Sequence, residues 1–149
     1  MITDIDKGYD ALMSMLTDIV KKDIYVGIHQ EEGVKVDGDD SATLAEIATF
    51  NEFGTRHIPM RSFLRSTIDE NQSKYIKMIE RLAGLAVTSG KDANWVLDMV
   101  GLKAKSDVQL KITKLKEPAN SPITIALKGS SNPLIDTGRM RASIDWKVK

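Results

Sequence analysis

His29 and His57 are the only two histidines of the chain, and cysteine is absent. Missing cysteine excludes disulfides, thiolate nucleophiles and thiolate metal sites, and it fits a protein made in a reducing compartment. The two histidines are separated by an acidic stretch and lack the i,i+3 or i,i+4 spacing of metal ligands on a helix. Asp37, Asp39 and Asp40 resemble a fragment of a calcium loop, but the twelve-position pattern ending in glutamate is incomplete, so solvated acid is the preferred reading. Lys128-Gly129-Ser130-Ser131-Asn132 is rich in turn residues, yet it lacks the Gly-Lys-Ser/Thr order and the flanking strand and helix of a phosphate loop. A small hydrolase would have to be built from His57 and the loop acids, which supply no set of nucleophile, base and orienting acid. The expectation is no enzyme, no cofactor and no metal.

Arginine is the remaining chemically distinctive residue, and it gathers in two segments. Arg56, Arg61 and Arg65 lie in the first, which runs from Glu46 through Glu52-Phe53-Gly54-Thr55 to Ile58-Pro59-Met60-Arg61-Ser62-Phe63-Leu64-Arg65. Arg139 and Arg141 lie in the second, Pro133-Leu134-Ile135-Asp136-Thr137-Gly138-Arg139-Met140-Arg141-Ala142-Ser143-Ile144. Arg61 and Arg65 are four apart around a helix start, a spacing that predicts a shared face. Positive charge there opposes the macrodipole, and an acid would offset it, the candidates being Glu46, Glu52 or the acidic loop of a neighbour; the other reading is that both arginines are solvated or paired within the chain. In the second segment Asp136 or Thr137 can accept backbone hydrogen bonds, and Gly138 supplies an unusual dihedral for a tight turn. That turn either sets the register of the last strand or touches a partner directly.

Together the two segments resemble the phage virion-morphogenesis and tail-completion family. Its members show an Asn/His-Glu-Phe-Gly-Thr turn, an Ile-Pro-x-Arg-x-Phe-Leu-Arg crossing and a C-terminal Leu-x-Asp-Thr-Gly-x-Leu-x-x-Ser-Ile. Here Met60 and Ser62 stand where the family commonly has Ala and Pro, and Met140 stands where it has Leu. The resemblance implies a structural, non-catalytic subunit of a tailed-phage virion, made in the host bacterial cytoplasm. Its expected place is the neck, where the tail is completed or joined to the head. It further implies self-association into a ring, in all expectation a hexamer, against connector or adaptor proteins and tail-tube or terminator proteins. The suspected assembly surface comprises Glu52, Phe53, Gly54, Arg56, Pro59, Arg61, Phe63, Arg65, Asp136, Thr137, Gly138, Arg139 and Arg141. The alternative is a DNA-contacting accessory protein of phage assembly that uses the five arginines, or a ring that makes sequence-independent contacts with DNA in its lumen.

These segments need a scaffold. Ile5, Tyr9, Leu12, Leu16, Ile19 and Val20 recur at steps of three and four, which predicts an amphipathic helix capped by Asp4 or Thr3. Ile24, Val26 and Ile28 alternate as a strand with one buried face. Gln30 to Asp40, polar and acidic, reads as a flexible loop. Ser41 then caps a short helix over Leu44, Ile47, Ala48 and Asn51 that ends at Phe53-Gly54. After an extended crossing, Ser62 caps a long helix to Val87. Ser89-Gly90-Lys91 breaks it, and Asp92 or Asn94 starts a second long helix, antiparallel to the first and stopped by Glu117-Pro118. Ile123-Thr124-Ile125 reads as a short extended piece, and Ile144, Trp146 and Val148 as a final strand. The fold expected is α+β in one domain over residues 1–149: two long antiparallel helices and shorter ones on a small, mainly antiparallel sheet. Seven methionines fall mostly at helical core positions, where they fill gaps.

The whole has 149 residues, 42% of them hydrophobic, enough for one core. Twenty-one basic residues balance twenty-one acidic ones, so no overall field draws the chain to nucleic acid or an anionic membrane. No stretch approaches the roughly 20 apolar residues of a membrane span.

Overall fold

The structure, a computed structural model, describes residues 6–29, 42–135 and 138–149. Six helices and two strands follow in the order α1 (Lys7–Val20), β1 (Ile24–Ile28), α2 (Leu44–Phe53), α3 (Arg65–Ser89), α4 (Ala93–Lys114), α5 (Pro122–Lys128), α6 (Arg139–Ala142) and β2 (Ile144–Val148). The fold is α+β, as the hydrophobic periodicities predict. The acidic stretch expected to be a loop lies outside the described residues.

The α3/α4 hairpin is the frame. Gly90, left-handed at φ 67°, closes α3 by donating its N–H to Ala86, and the Asp92 carboxylate opens α4 by accepting from the Trp95 N–H at 2.9 Å. Glu70 pairs with Lys111, and Tyr75 with Asp107, so the residue numbers run in opposite directions along the two helices. Along α4, Ala93, Val96, Leu97, Val100, Gly101, Ala104, Val108 and Ile112 are all buried. Their three- and four-residue steps place them on one side of the helix, which then serves two cores. Toward its start it meets Met15, Ile19, Tyr75, Leu82 and Ala86. Toward its end, Val108 and Ile112 meet Leu44, Phe63, Leu134, Met140 and Ile144.

The sheet lies against the same helix. β1 and β2 are antiparallel with Val26 opposite Trp146 and Ile28 opposite Ile144. Trp146 sits so close over α4 that a Cβ on Gly101 would come 2.2 Å from its ring. The indole N–H donates to Asp98 at 3.1 Å, while Lys105 lies over the ring and pairs with Asp145 at 3.1 Å. A glycine in mid-helix thus exchanges helix propensity for close approach of the sheet.

Several local expectations change. Asp6 caps α1, accepting from Gly8 and Tyr9, so the start lies after Asp4 and Thr3. Thr43, with Glu46, forms the reciprocal capping box of α2, the role expected of Ser41. The 123–125 piece is helical, because Ser121 caps it and Pro122 occupies the first turn, where a missing N–H costs nothing. Ser62 is not the principal cap of α3.

Candidate functional site

The cap of α3 comes from another helix. Glu52, on the last turn of α2, is 4% exposed. Its carboxylate accepts the backbone N–H groups of Phe63 and Leu64, both at 2.9 Å, and of Arg65 at 3.1 Å. It also accepts the Ser62 hydroxyl at 2.8 Å and Arg65 Nε at 3.0 Å. These backbone groups are the orphan donors of a helix start, which a negative charge both satisfies and neutralises. Burial alone would raise the Glu52 pKa. The bonds from Leu64, Ser62 and Arg65 outweigh it and hold the carboxyl below its ordinary value. Ser62 contributes in part, accepting from the Ser66 N–H at 3.3 Å. Of the candidate acids, Glu52 is the one that pairs with Arg65. Glu46 instead completes its own capping box.

Between Glu52 and its donors the chain makes a closed turn. Gly54 has φ 75° and ψ 167°, a region that only glycine occupies without strain. A Cβ there would also lie 2.9 Å from the Met60 backbone nitrogen. Thr55 holds the turn, its N–H donating to Ile58 O at 2.8 Å and its hydroxyl accepting from Ile58 N at 3.0 Å.

Arg61 differs most from expectation. It is 5% exposed and does not share a face with Arg65. Its Nε donates to Pro118 O at 2.6 Å, its Nη1 to Asn51 Oδ1 at 3.3 Å, and its Nη2 to Ala119 O at 3.2 Å and Asn120 Oδ1 at 3.1 Å. It ties the connection after α4 to the crossing before α3. No acid pairs with it among the described residues.

The second segment docks on the end of α4. Asn132 Nδ2 donates to Thr113 O, and Asn132 Oδ1 accepts from Leu134 N, both at 3.0 Å. Gly138 is left-handed at φ 78° and opens the single turn of α6. Arg141 Nη1 donates to Thr113 Oγ1 at 3.1 Å, and Arg141 O accepts from Gln109 Nε2 at 3.0 Å. Met140 and Ile144 are buried beside Phe63, so the two arginine-bearing segments meet through one hydrophobic cluster. Asp136 and Thr137 lie outside the described residues.

The thirteen suspected interface residues therefore divide. Glu52, Arg61 and Phe63 are interior, and Gly54 serves the turn. Phe53, Arg56, Pro59, Arg65, Arg139 and Arg141 reach the surface, and the Arg65 guanidinium stacks 4.5 Å from the Phe53 ring centroid. Two exposed apolar residues lie outside that set: Ile123 and Leu127, one turn apart on α5, are 74% and 84% exposed. Their i,i+4 spacing is a legible signal once the segment is read as a helix. Met60, one of the departures from the family pattern, is also exposed.

Among the described residues no group of three or more histidine or acidic side chains could hold a metal ion, and no helix is long and apolar enough to cross a membrane. Compared with known proteins, the chain matches no family model, no curated protein and no solved structure at a significant level.

Proposed function

We propose that the chain is a structural subunit of a tailed-phage particle, a tail-completion or neck protein that forms a ring at the head–tail junction. The observation that carries this reading is the sharing of labour within the resembling segments. Glu52, Gly54, Arg61 and Phe63 complete an internal joint, while Phe53, Arg56, Pro59, Met60 and Arg65 are left outside it. A rigid joint that displays aromatic, apolar and cationic side chains suits a protein interface, in which aromatic residues, Met and Arg are enriched. The exposed Ile123 and Leu127 of α5 add a second apolar pair that an interface could cover. Head-to-tail closure uses two different surfaces per subunit, and the exposed side of the 53–65 crossing and α5 are the two candidates.

Sedimentation at high protein concentration, with micrographs of the purified protein, tests the proposal. Closed rings, or binding to tail tubes or connector proteins, are expected. A protein that stays monomeric and binds neither would overturn it.

A further inference from the structure

We propose that α5 of one subunit seats Ile123 and Leu127 in the groove between β1 and α2 of a second copy, an inference that rests on the ring reading above. The groove measures about 260 Å³, with Val26 and Ile28 on one wall, Ala45 and Ala48 on the other, and Phe53 and Leu64 completing it. Two polar side chains also line it, and both are already engaged. Thr49 Oγ1 donates to Ala45 O at 2.8 Å, and the Glu52 carboxylate takes the donors at the start of α3. Apolar area is therefore what these side chains offer an occupant. An apolar cavity of about 150 Å³ accepts benzene, so this groove has room for a branched aliphatic side chain.

α5 carries the matching part. Ile123 and Leu127 share a face, 74% and 84% exposed, with Pro122 and Ala126 exposed beside them, and none of the residues of this helix is buried. In its own subunit the pair faces water, so a groove that it fills belongs to another copy.

The charges flanking the two parts are opposite in sign. Residues 30–41, which join β1 to α2, contain five acids and one lysine, whereas residues 114–128 contain three lysines and one acid. Outside 30–41 the chain has twenty basic and sixteen acidic residues, so its overall neutrality conceals two regions of opposite sign. Opposite charge around an apolar contact steers encounter and fixes orientation. Groove and α5 are also different surfaces, as head-to-tail contact requires. Phe53 and Leu64 belong both to the groove and to the 53–65 crossing, which makes the groove continuous with that candidate surface.

Two complementary variants test the pairing. Ile123→Gln/Leu127→Gln keeps the groove and removes the apolar pair, while Ala48→Phe keeps the pair and fills the groove. In sedimentation each alone is expected to associate at least about tenfold more weakly than wild type, the loss from leaving one aliphatic side chain unburied. Mixed in equal amounts, the two should form a heterodimer and stop there, because each supplies the surface that the other lacks. If wild type forms rings and either variant assembles equally well, the pairing is wrong and the ring stands; the groove is then idle or covered by the chain's own residues 30–41. A mixture that stays monomeric, or an Ala48→Phe that keeps its rings but loses tail tubes or connectors, also overturns it. Wild-type protein that is monomeric at every concentration overturns the pairing too, and the ring reading falls with it when tail tubes and connectors go unbound. Where Ala48→Phe does not fold, Thr49→Trp, at an exposed position of the lining, takes its place.

Discussion

Glu52 shows how one residue can look like a contact while acting as a structural bond. Glu52→Gln keeps the size but presents an amide to a cluster of donors, so two or more N–H groups lose their acceptor. The expected loss is about 2–4 kcal/mol, since each unsatisfied buried donor costs ~1–3 kcal/mol. Chemical denaturation at pH 7 measures it. Because the folded-state pKa of Glu52 is depressed, its contribution is complete above the unfolded carboxyl pKa and is lost as pH falls through the lower folded value. Wild-type stability should therefore fall in acid, and Glu52→Gln should flatten that part of the curve. Asp107 works in the same direction: burial would raise its pKa, but Lys103, Tyr75 and Lys74 lower it, so some acid sensitivity persists in the variant. Gly54→Ala meets both a forbidden dihedral and the Met60 backbone, and a loss of about 2–3 kcal/mol is expected from equilibrium unfolding. The Glu-Phe-Gly-Thr spelling was visible in the sequence. The destination of the Glu52 carboxylate was not, because its donors lie ten to thirteen residues away across a turn.

At the scale of elements, period and capping chemistry located α1, β1, α2, both long helices and β2. Local rules failed where a competing cap stood one or two residues off, as with Thr43 in place of Ser41. They failed too where the decisive group was remote, as at the start of α3. In α5 the β-branched Ile123, Thr124 and Ile125 favour extended backbone, yet Ser121-Pro122 is a strong helix start and prevails. Arg61 joins two connections that no periodicity relates, so its burial could not be read from spacing. A lysine there cannot reproduce a planar fork of four bonds. Arg61→Lys is expected to cost about 2 kcal/mol or more, from the unmet carbonyls and the displaced charge, with a Tm reduction in a thermal melt. The same burial removes Arg61 from any set of arginines that touch DNA.

For the whole molecule, α+β architecture was legible because long amphipathic patterns average over local error. The division of the suspected interface residues into buried and exposed ones was not, since exposure is decided only when everything else has packed. Leu127→Gln removes apolar area that is already in water. It should leave the monomer within about 0.5 kcal/mol of wild type while weakening association by sedimentation. If Leu127→Gln assembles as well as wild type, α5 lies outside the interface.

Helix α4 is a party wall, its one buried stripe shared by the cluster around Met15 and Tyr75 and by the cluster around Phe63 and Ile144. Neither side can melt by itself without disturbing the helix on which its neighbour packs. Amide protons in the middle of α4, from Val100 to Val108, should consequently exchange with deuterium only through opening of the entire fold, at the slowest rate in the chain. The first turn of α1, held by one aspartate and with Gly8, Tyr9 and Asp10 exposed, should exchange long before them.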